Sequence, residues 1–141
     1  MTALTTFAVA ISAVVGSFFQ APACELVDLP TAEALFAESG SEITGGAHPS
    51  MCQYMSASGL SLLIVQVTEE EYYDIVGVPE PHTEVDIGER ARYGTDEAGD
   101  ITLQFVKGGF HVSLKLVPNP DGPDPLEALQ QVARTAADRI P

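Results

Sequence analysis

The clearest pattern in the chain is the alternation of apolar and polar residues over residues 101–117. Gly108 and Gly109 stand at its centre, and two glycines suit a two-residue hairpin turn because both positions of that turn need a positive φ. With this turn, six apolar residues fall opposite one another on one face: Ile101, Leu103, Phe105, Val112, Leu114 and Leu116. The other face, which we call the polar hairpin face and expect to be exposed, holds Thr102, Gln104, His111, Ser113 and Lys115. A slip of one residue would destroy this match, so the pattern predicts both an antiparallel hairpin and its register.

Glycines, prolines and capping residues divide the rest of the chain into further elements. Thr31 is a candidate N-cap, Thr68 with Glu71 forms a capping box, and Asp124 precedes a proline at a helix start. The elements predicted in addition to the hairpin are a helix over residues 32–39, strands over 51–56 and 60–67, a helix that follows Thr68 and ends at Gly77, a bent strand over 84–93, and a last helix over 125–140. In the second helix, Tyr72, Ile75 and Val76 share one face.

This order of elements, αββαβββα, predicts an α+β fold. We expect a single antiparallel sheet of about five strands, with helices packed on its apolar face and the last helix covering most of it. A length of 141 residues fits one domain, which we place at residues 24–141.

The beginning of the chain is typical of a secretory signal. Residues 4–19 are uncharged and largely apolar, and Ala21 and Ala23 are small residues in the positions that a signal peptidase recognises. We therefore predict a signal peptide over residues 1–23, although no Lys or Arg precedes the apolar run. Two alternatives stay open, namely that the segment is kept as a membrane anchor or that a lipid is attached to Cys24.

Export would place the two cysteines in an oxidising compartment, where a pair is normally joined. A bridge between Cys24 and Cys52 closes a loop of about 28 residues and contributes about 3–4 kcal/mol. A redox pair would instead show Cys-x-x-Cys spacing, which is absent. We predict a structural disulfide.

The charge of the chain is strongly acidic, with 20 acidic and 6 basic residues and a net charge of −14. The whole excess lies between Cys24 and Val106. This argues against nucleic acid or anionic lipid as a docked partner, because both are bound by clustered Lys and Arg. Such a field can steer a basic partner, but a well-solvated secreted surface explains it as well.

Several short motifs together resemble a known group of proteins. They are Cys24 followed at once by a short helix, the Cys52-Gln-Tyr54 strand, Gly88-Glu-Arg-Ala91 before a glycine-turn hairpin, and a closing helix over residues 126–140. This arrangement resembles the small secreted proteins and lipoproteins of bacteria known as domains of unknown function. The resemblance implies the Cys24–Cys52 bridge and a location in the envelope or outside the cell, and it implies no catalytic residues. Many such proteins have a separate lipid-attachment cysteine, whereas here Cys24 would have to serve both roles.

Residues that could carry out chemistry are few. His82, Glu84 and Asp86 lie close together in the sequence, but a zinc site needs three or four converging ligands, and a solvated loop histidine is the simpler interpretation. No Gly-x-Ser-x-Gly and no phosphate-binding loop occur. We predict no catalytic residue, no metal site and no cofactor.

The sequence therefore predicts a non-catalytic exported binding module, periplasmic, extracellular or attached to the outer side of the cell membrane. Its partner would be another protein or an envelope component, with membrane contact only through the N-terminal segment or a lipid. We expect the polar hairpin face or the acidic central segment to be its working surface. Two alternatives are a small metal-dependent or hydrolytic enzyme built around His82 and its acidic neighbours, and a membrane-anchored structural subunit that keeps residues 1–23.

Overall fold

The computed structural model describes residues 22–44 and 48–141, so residues 1–21 of the predicted signal peptide lie outside it. The four helices in the described ranges are α1 (Ala23–Leu26), α2 (Leu29–Phe36), α3 (Tyr72–Val76) and α4 (Leu126–Asp138). The seven strands are β1 (Glu42–Ile43), β2 (Met51–Met55), β3 (Leu62–Glu69), β4 (His82–Val85), β5 (Arg90–Thr95), β6 (Ile101–Lys107) and β7 (Phe110–Val117). None of these helices is long and apolar enough to cross a membrane.

The strands form one antiparallel sheet in the order β1-β2-β3-β7-β6-β5-β4. The predicted α+β fold with a single antiparallel sheet is thus confirmed, but the sheet has seven strands rather than about five. The segment predicted as one bent strand forms the hairpin β4–β5. Gly88 lies in its turn with a φ of 62°, a conformation that favours glycine and allows the chain to reverse. The additional edge strand, β1, is only two residues long.

The hairpin β6–β7 has the predicted register. Lys107 pairs with Phe110 across Gly108 and Gly109, whose φ angles of 62° and 85° fit the predicted turn. All six apolar residues of the inner face are buried. Because burial of each large aliphatic or aromatic side chain contributes about 1.5–3 kcal/mol, this face fixes the register.

Three helices cover the inner face of the sheet. α1, α2 and α4 contact one another or the sheet, and α4 packs against β6. The α4 residues that enter the core are Leu129, Val132, Ala133, Ala136 and Ala137. α4 begins at Leu126 with Pro125 at the N-cap position, one residue later than predicted, and ends at Asp138 rather than about residue 140. The Asp124 carboxylate nevertheless accepts a hydrogen bond from the Leu126 N–H at 3.1 Å.

Cys24 in α1 and Cys52 in β2 form the predicted disulfide, with a sulfur–sulfur distance of 2.07 Å and a Cα–Cα distance of 5.1 Å. The bond indicates an oxidising compartment. Next to it, Ala23 is fully buried and its N–H donates to the Pro49 carbonyl at 2.8 Å. Cleavage after Ala23 would remove this packed residue, and the cleavage site itself stays a prediction.

The boundaries of α2 differ from the prediction. The N-cap is Asp28 rather than Thr31, and the Asp28 carboxylate accepts the Thr31 N–H at 2.9 Å. The helix ends where Ala37 adopts a left-handed conformation, before Gly40. An aspartate that bonds to the third helical N–H satisfies the cap as well as a threonine does, so the position of the cap was ambiguous from the sequence.

The predicted capping box of the second helix is wrong. β3 continues through Thr68 and Glu69, and Thr68 pairs with His111 of β7. Strand pairing therefore takes the residues that were expected to start the helix. α3 is a single turn of five residues, and it ends at Gly77 as predicted.

Candidate binding surface

The connection between β3 and β4 crosses the second face of the sheet, which we call the outer face. β3 is the third strand and β4 is the far edge strand, so residues 70–81 have to pass over β7, β6 and β5. Tyr73 packs edge-on against the ring of His111 with 6.0 Å between centroids. Farther along, the Pro79 carbonyl lies so close to Gly94 that a Cβ there would meet it at 1.9 Å. We call residues 70–81 the strap.

Tyr73 anchors the strap to the sheet and is only 4% exposed. The guanidinium carbons of Arg92 and Arg90 lie 4.3 Å and 4.4 Å from the centre of its ring. Arg92 Nη2 also donates to the Tyr73 carbonyl at 2.6 Å. Burial raises the pKa of the Tyr73 hydroxyl, against the opposing effect of the two arginines. The phenol therefore stays neutral, and the ring presents its electron-rich face to the cations.

A chain of polar side chains lies beneath the strap. Arg92 Nε donates to Gln104 Oε1 at 2.7 Å, which turns the Gln104 amide nitrogen towards His111 Nε2 at 2.9 Å. His111 Nε2 must then accept, so the ring proton sits on Nδ1 and donates to Thr68 Oγ1 at 2.9 Å. Each of these side chains has a hydrogen-bond partner, which allows polar groups to be buried at low cost in free energy.

This arrangement holds His111 in its neutral form. Protonation of the ring would place an N–H at Nε2 that faces the amide N–H of Gln104, so the protonated ring would lose that hydrogen bond. Burial lowers the pKa of His111, and the charge of Arg92 lowers it further. His111 is 2% exposed, and its contacts with Thr68, Gln104 and Tyr73 join the sheet to the strap.

The expected exposure of the polar hairpin face is wrong for two of its five residues. Gln104 is 0% exposed and is hydrogen-bonded to Arg92, and His111 is 2% exposed beneath the ring of Tyr73. Thr102 and Ser113 are half-buried and Lys115 is exposed. Whether these three contact a partner stays a prediction, whereas the two buried residues cannot do so in this structure.

The strap exposes three large apolar side chains. Ile75 is 71% exposed, Val76 59% and Tyr72 42%, and their spacing puts all three on one side of α3. The sequence predicts that they share one helix face, but it does not show that this face is exposed. We call Tyr72, Ile75 and Val76 the strap patch.

The residues that position the strap patch were missed in the sequence. Arg90 and Arg92 alternate on β5, and Arg92 pairs with Gln104 in the register. One feature of the sequence could have indicated them: two arginines lie on the same face of a strand within a strongly acidic segment. Two arginines placed in this way can both stack on one aromatic ring. Tyr73 could not be recognised as their partner, because its place depends on where the strap crosses the sheet.

The proposed acidic and histidine cluster is not formed. His82 Nδ1 contacts the Glu80 carboxylate at 2.9 Å, and His82 is exposed. Within residues 22–44 and 48–141, no group of three His, Cys, Asp or Glu side chains could hold a metal ion. The alternative that uses His82, Glu84 and Asp86 as metal ligands therefore finds no support in the described part of the chain.

No protein-family model, no curated protein and no solved structure matches this chain. The resemblance to secreted bacterial proteins accordingly stays a prediction.

Proposed function

We propose that this chain is an exported, non-catalytic binding module and that the strap patch is its principal binding surface. The observation that carries the proposal is the exposure of Tyr72, Ile75 and Val76 on one side of a helical turn that is anchored by the buried Tyr73. Exposed apolar side chains that lie together, rather than singly, are typical of interaction sites. They lower the solubility of a free protein, so their presence favours a role in binding.

The anchoring of the strap supports this proposal. Binding is weakened by the loss of conformational freedom when a flexible segment becomes ordered. Here Tyr73, immediately after Tyr72, is already held by Arg90, Arg92 and His111. The patch is therefore presented in a fixed conformation, and a partner does not have to order it.

The disulfide supports the location. The Cys24–Cys52 bond ties the start of the described chain to β2, and such bonds persist in oxidising compartments. Together with the predicted leader over residues 1–23, it favours a place in the periplasm, outside the cell or on the outer side of the membrane. The partner is then another protein or an envelope component in the same compartment.

Site-specific photo-crosslinking in the cells that make the protein tests this function. A photo-reactive amino acid replaces Ile75 in one variant, Gln131 on the exposed side of α4 in a second, and Lys115 in a third. We expect one defined adduct from position 75, identified by mass spectrometry, and none from position 131. The same partner, once purified, should bind the wild-type protein and lose affinity for the Ile75→Ser variant.

The third variant separates the two candidate surfaces. An adduct from position 115 with none from position 75 would move the binding surface to the open part of the polar hairpin face. Position 75 without any adduct, or with adducts no more specific than those from position 131, would contradict the proposed role of the strap patch.

A further inference from the structure

The strap patch is bordered by carboxylates. Glu70 and Glu71 come directly before Tyr72, both are exposed, and neither forms an ion pair within residues 22–44 and 48–141. Glu69 pairs with Phe110, which packs against the core, so Glu69 belongs to the other face of the sheet. Asp74 lies inside α3 and is the exception, since Arg90 contacts it at 3.3 Å. The apolar patch is thus directly preceded by two exposed negative charges that the described part of the protein leaves unpaired.

The two arginines close to the strap already have partners in the protein itself, and Arg90 also pairs with Asp74. Arg92 binds Gln104 and the Tyr73 carbonyl, and Arg90 stacks on the Tyr73 ring. These cations stabilise the anchor, and neither forms an ion pair with Glu70 or Glu71. A partner that brings its own cations would supply the missing charges.

We infer that the strap patch binds a short amphipathic segment of another protein, with apolar side chains flanked by Lys or Arg. This inference rests on the proposed function and adds the chemistry of the partner. The apolar residues of the segment would cover Ile75 and Val76, while its cations would lie against the glutamates. Complementary charge raises the rate of encounter and excludes acidic competitors. Three side chains are a small surface, which one or two helical turns of a partner can cover.

The same charges make a membrane surface an unsuitable partner. Segments that bind anionic lipid combine exposed apolar side chains with Lys and Arg, because the lipid surface is negative. The strap combines its apolar side chains with glutamates. Anionic lipid would therefore be repelled, and a basic protein segment attracted.

Synthetic peptides test this inference on the full, disulfide-bonded chain. The probe is a fluorescent amphipathic peptide with leucines on one helical face and lysines on the other, and its counterpart has glutamates in place of lysines. Fluorescence anisotropy measures binding, and vesicles of anionic lipid form a third arm. We expect binding of the lysine peptide, weaker at higher salt because screening reduces exposed charge interactions, and no binding of the glutamate peptide or the vesicles.

Two matched pairs of variants show whether the peptide binds at the strap. Ile75→Ser with Val76→Ser removes the apolar contacts, and Ile43→Ser with Leu60→Ser removes two exposed apolar side chains elsewhere. We expect the first pair to weaken the Kd about tenfold, as loss of two interface side chains typically does. The second pair should leave the Kd within about twofold of the wild-type value, because loss of an interface residue would change it by more than that.

The second comparison removes two carboxylates in each case. Glu70→Gln with Glu71→Gln should weaken the Kd by about three- to tenfold, in line with the modest worth of exposed ion pairs. The control, Glu127→Gln with Asp138→Asn, makes the same change in net charge on α4. Equal weakening by both would show that only the overall charge attracts the peptide and would overturn the inference.

Other outcomes also overturn it. These are failure of the lysine peptide to bind, equal loss in both apolar pairs, and vesicle binding that Ile75→Ser with Val76→Ser abolishes. A specific crosslink from position 75 combined with a peptide result of this kind would leave the proposed function standing and remove only the basic partner. The absence of any crosslinked adduct from position 75 would instead contradict the proposed function.

Discussion

Replacement of Tyr73 by alanine tests the account of the strap. Tyr73 is 4% exposed and its neighbour Tyr72 is 42% exposed, so two adjacent tyrosines differ mainly in whether they anchor the strap. Tyr73→Ala removes the ring that Arg90 and Arg92 stack on and opens a space above His111. Tyr72→Ala removes a ring of the same size and none of these contacts, which makes it a matched control.

The expected loss of stability follows from the burial of the ring. Truncation of a large buried aromatic residue to alanine costs about 3–5 kcal/mol, and sites at the periphery relax more than those in a core. Two cation–π contacts of about 0.5–1 kcal/mol each are part of that loss. We expect the free energy of unfolding to fall by about 3 kcal/mol in Tyr73→Ala and by no more than about 0.5 kcal/mol in Tyr72→Ala.

Urea unfolding, followed by circular dichroism, measures both values. With a slope of about 1.5 kcal/mol/M, the midpoint of Tyr73→Ala should fall by about 2 M. Hydrogen exchange should show faster exchange in the strap amides of this variant. If the two tyrosine variants agreed within about 0.5 kcal/mol, Tyr73 would not anchor the strap and the argument for a fixed strap patch would be wrong.

Three further predictions concern charge and covalent structure. In the folded protein the pKa of His111 lies below its ordinary value of 6.5, so the unfolded chain binds more protons and the free energy of unfolding should fall as the pH drops below 6.5. Urea titrations at several pH values should show that this free energy depends less on pH in His111→Gln. An unchanged pH dependence would contradict a buried, neutral His111. Replacement of both Cys24 and Cys52 by serine should lower the free energy of unfolding by about 3–4 kcal/mol, as should reduction, and a loss below about 1 kcal/mol would show that the bridge contributes little to stability. Asp28→Ala should lower the free energy of unfolding by about 1 kcal/mol, because it removes an N-cap. The hydrogen bond from Thr31, more than the contact with Arg139, lowers the pKa of Asp28 below 3.8, so the stability difference from wild type should vanish as the pH falls below that value. A stability difference that persisted at low pH would point to another cause.

Local patterns in the sequence were sufficient for the parts of the fold that depend on near neighbours. Two glycines and an alternating pattern specify the β6–β7 hairpin, because a two-residue turn leaves only one register that buries every apolar residue. The start of α4 follows, to within one residue, from Asp124 and Pro125. The disulfide follows from the predicted compartment and the number of cysteines.

The strap could not be predicted because it depends on contacts between distant residues. Thr68 and Glu71 have the spacing of a capping box, yet Thr68 pairs with His111, 43 residues away, and remains in the strand. Once β3 lies inside the sheet and β4 at its edge, the chain between them has to cross β7, β6 and β5. Gln104 and His111 were expected to be exposed for the same reason, since an alternating pattern does not show what later covers the polar side of a strand.

The outward side of α3 was missed for a related reason. Tyr72, Ile75 and Val76 have the spacing of a buried helix face, and such a face usually packs on a core. The sheet is already occupied beneath the strap by Tyr73 and the polar chain, so these three side chains remain outside. An apolar helical pattern therefore predicts a contact surface, but whether its partner lies in the same chain depends on the tertiary structure.

The central claim is that the strap is docked on the sheet while its apolar side chains face solvent. Methyl NMR with a soluble paramagnetic probe measures this directly, since the probe speeds the relaxation of methyl groups that solvent can reach. We predict strong relaxation of the Ile75 and Val76 methyls, similar to that of the exposed Leu60, and weak relaxation of the buried Leu103 and Leu114 methyls. Ile75 and Val76 methyls that relaxed as slowly as those of Leu103 and Leu114 would show that the patch is buried in the free protein, and the account of its function would be wrong.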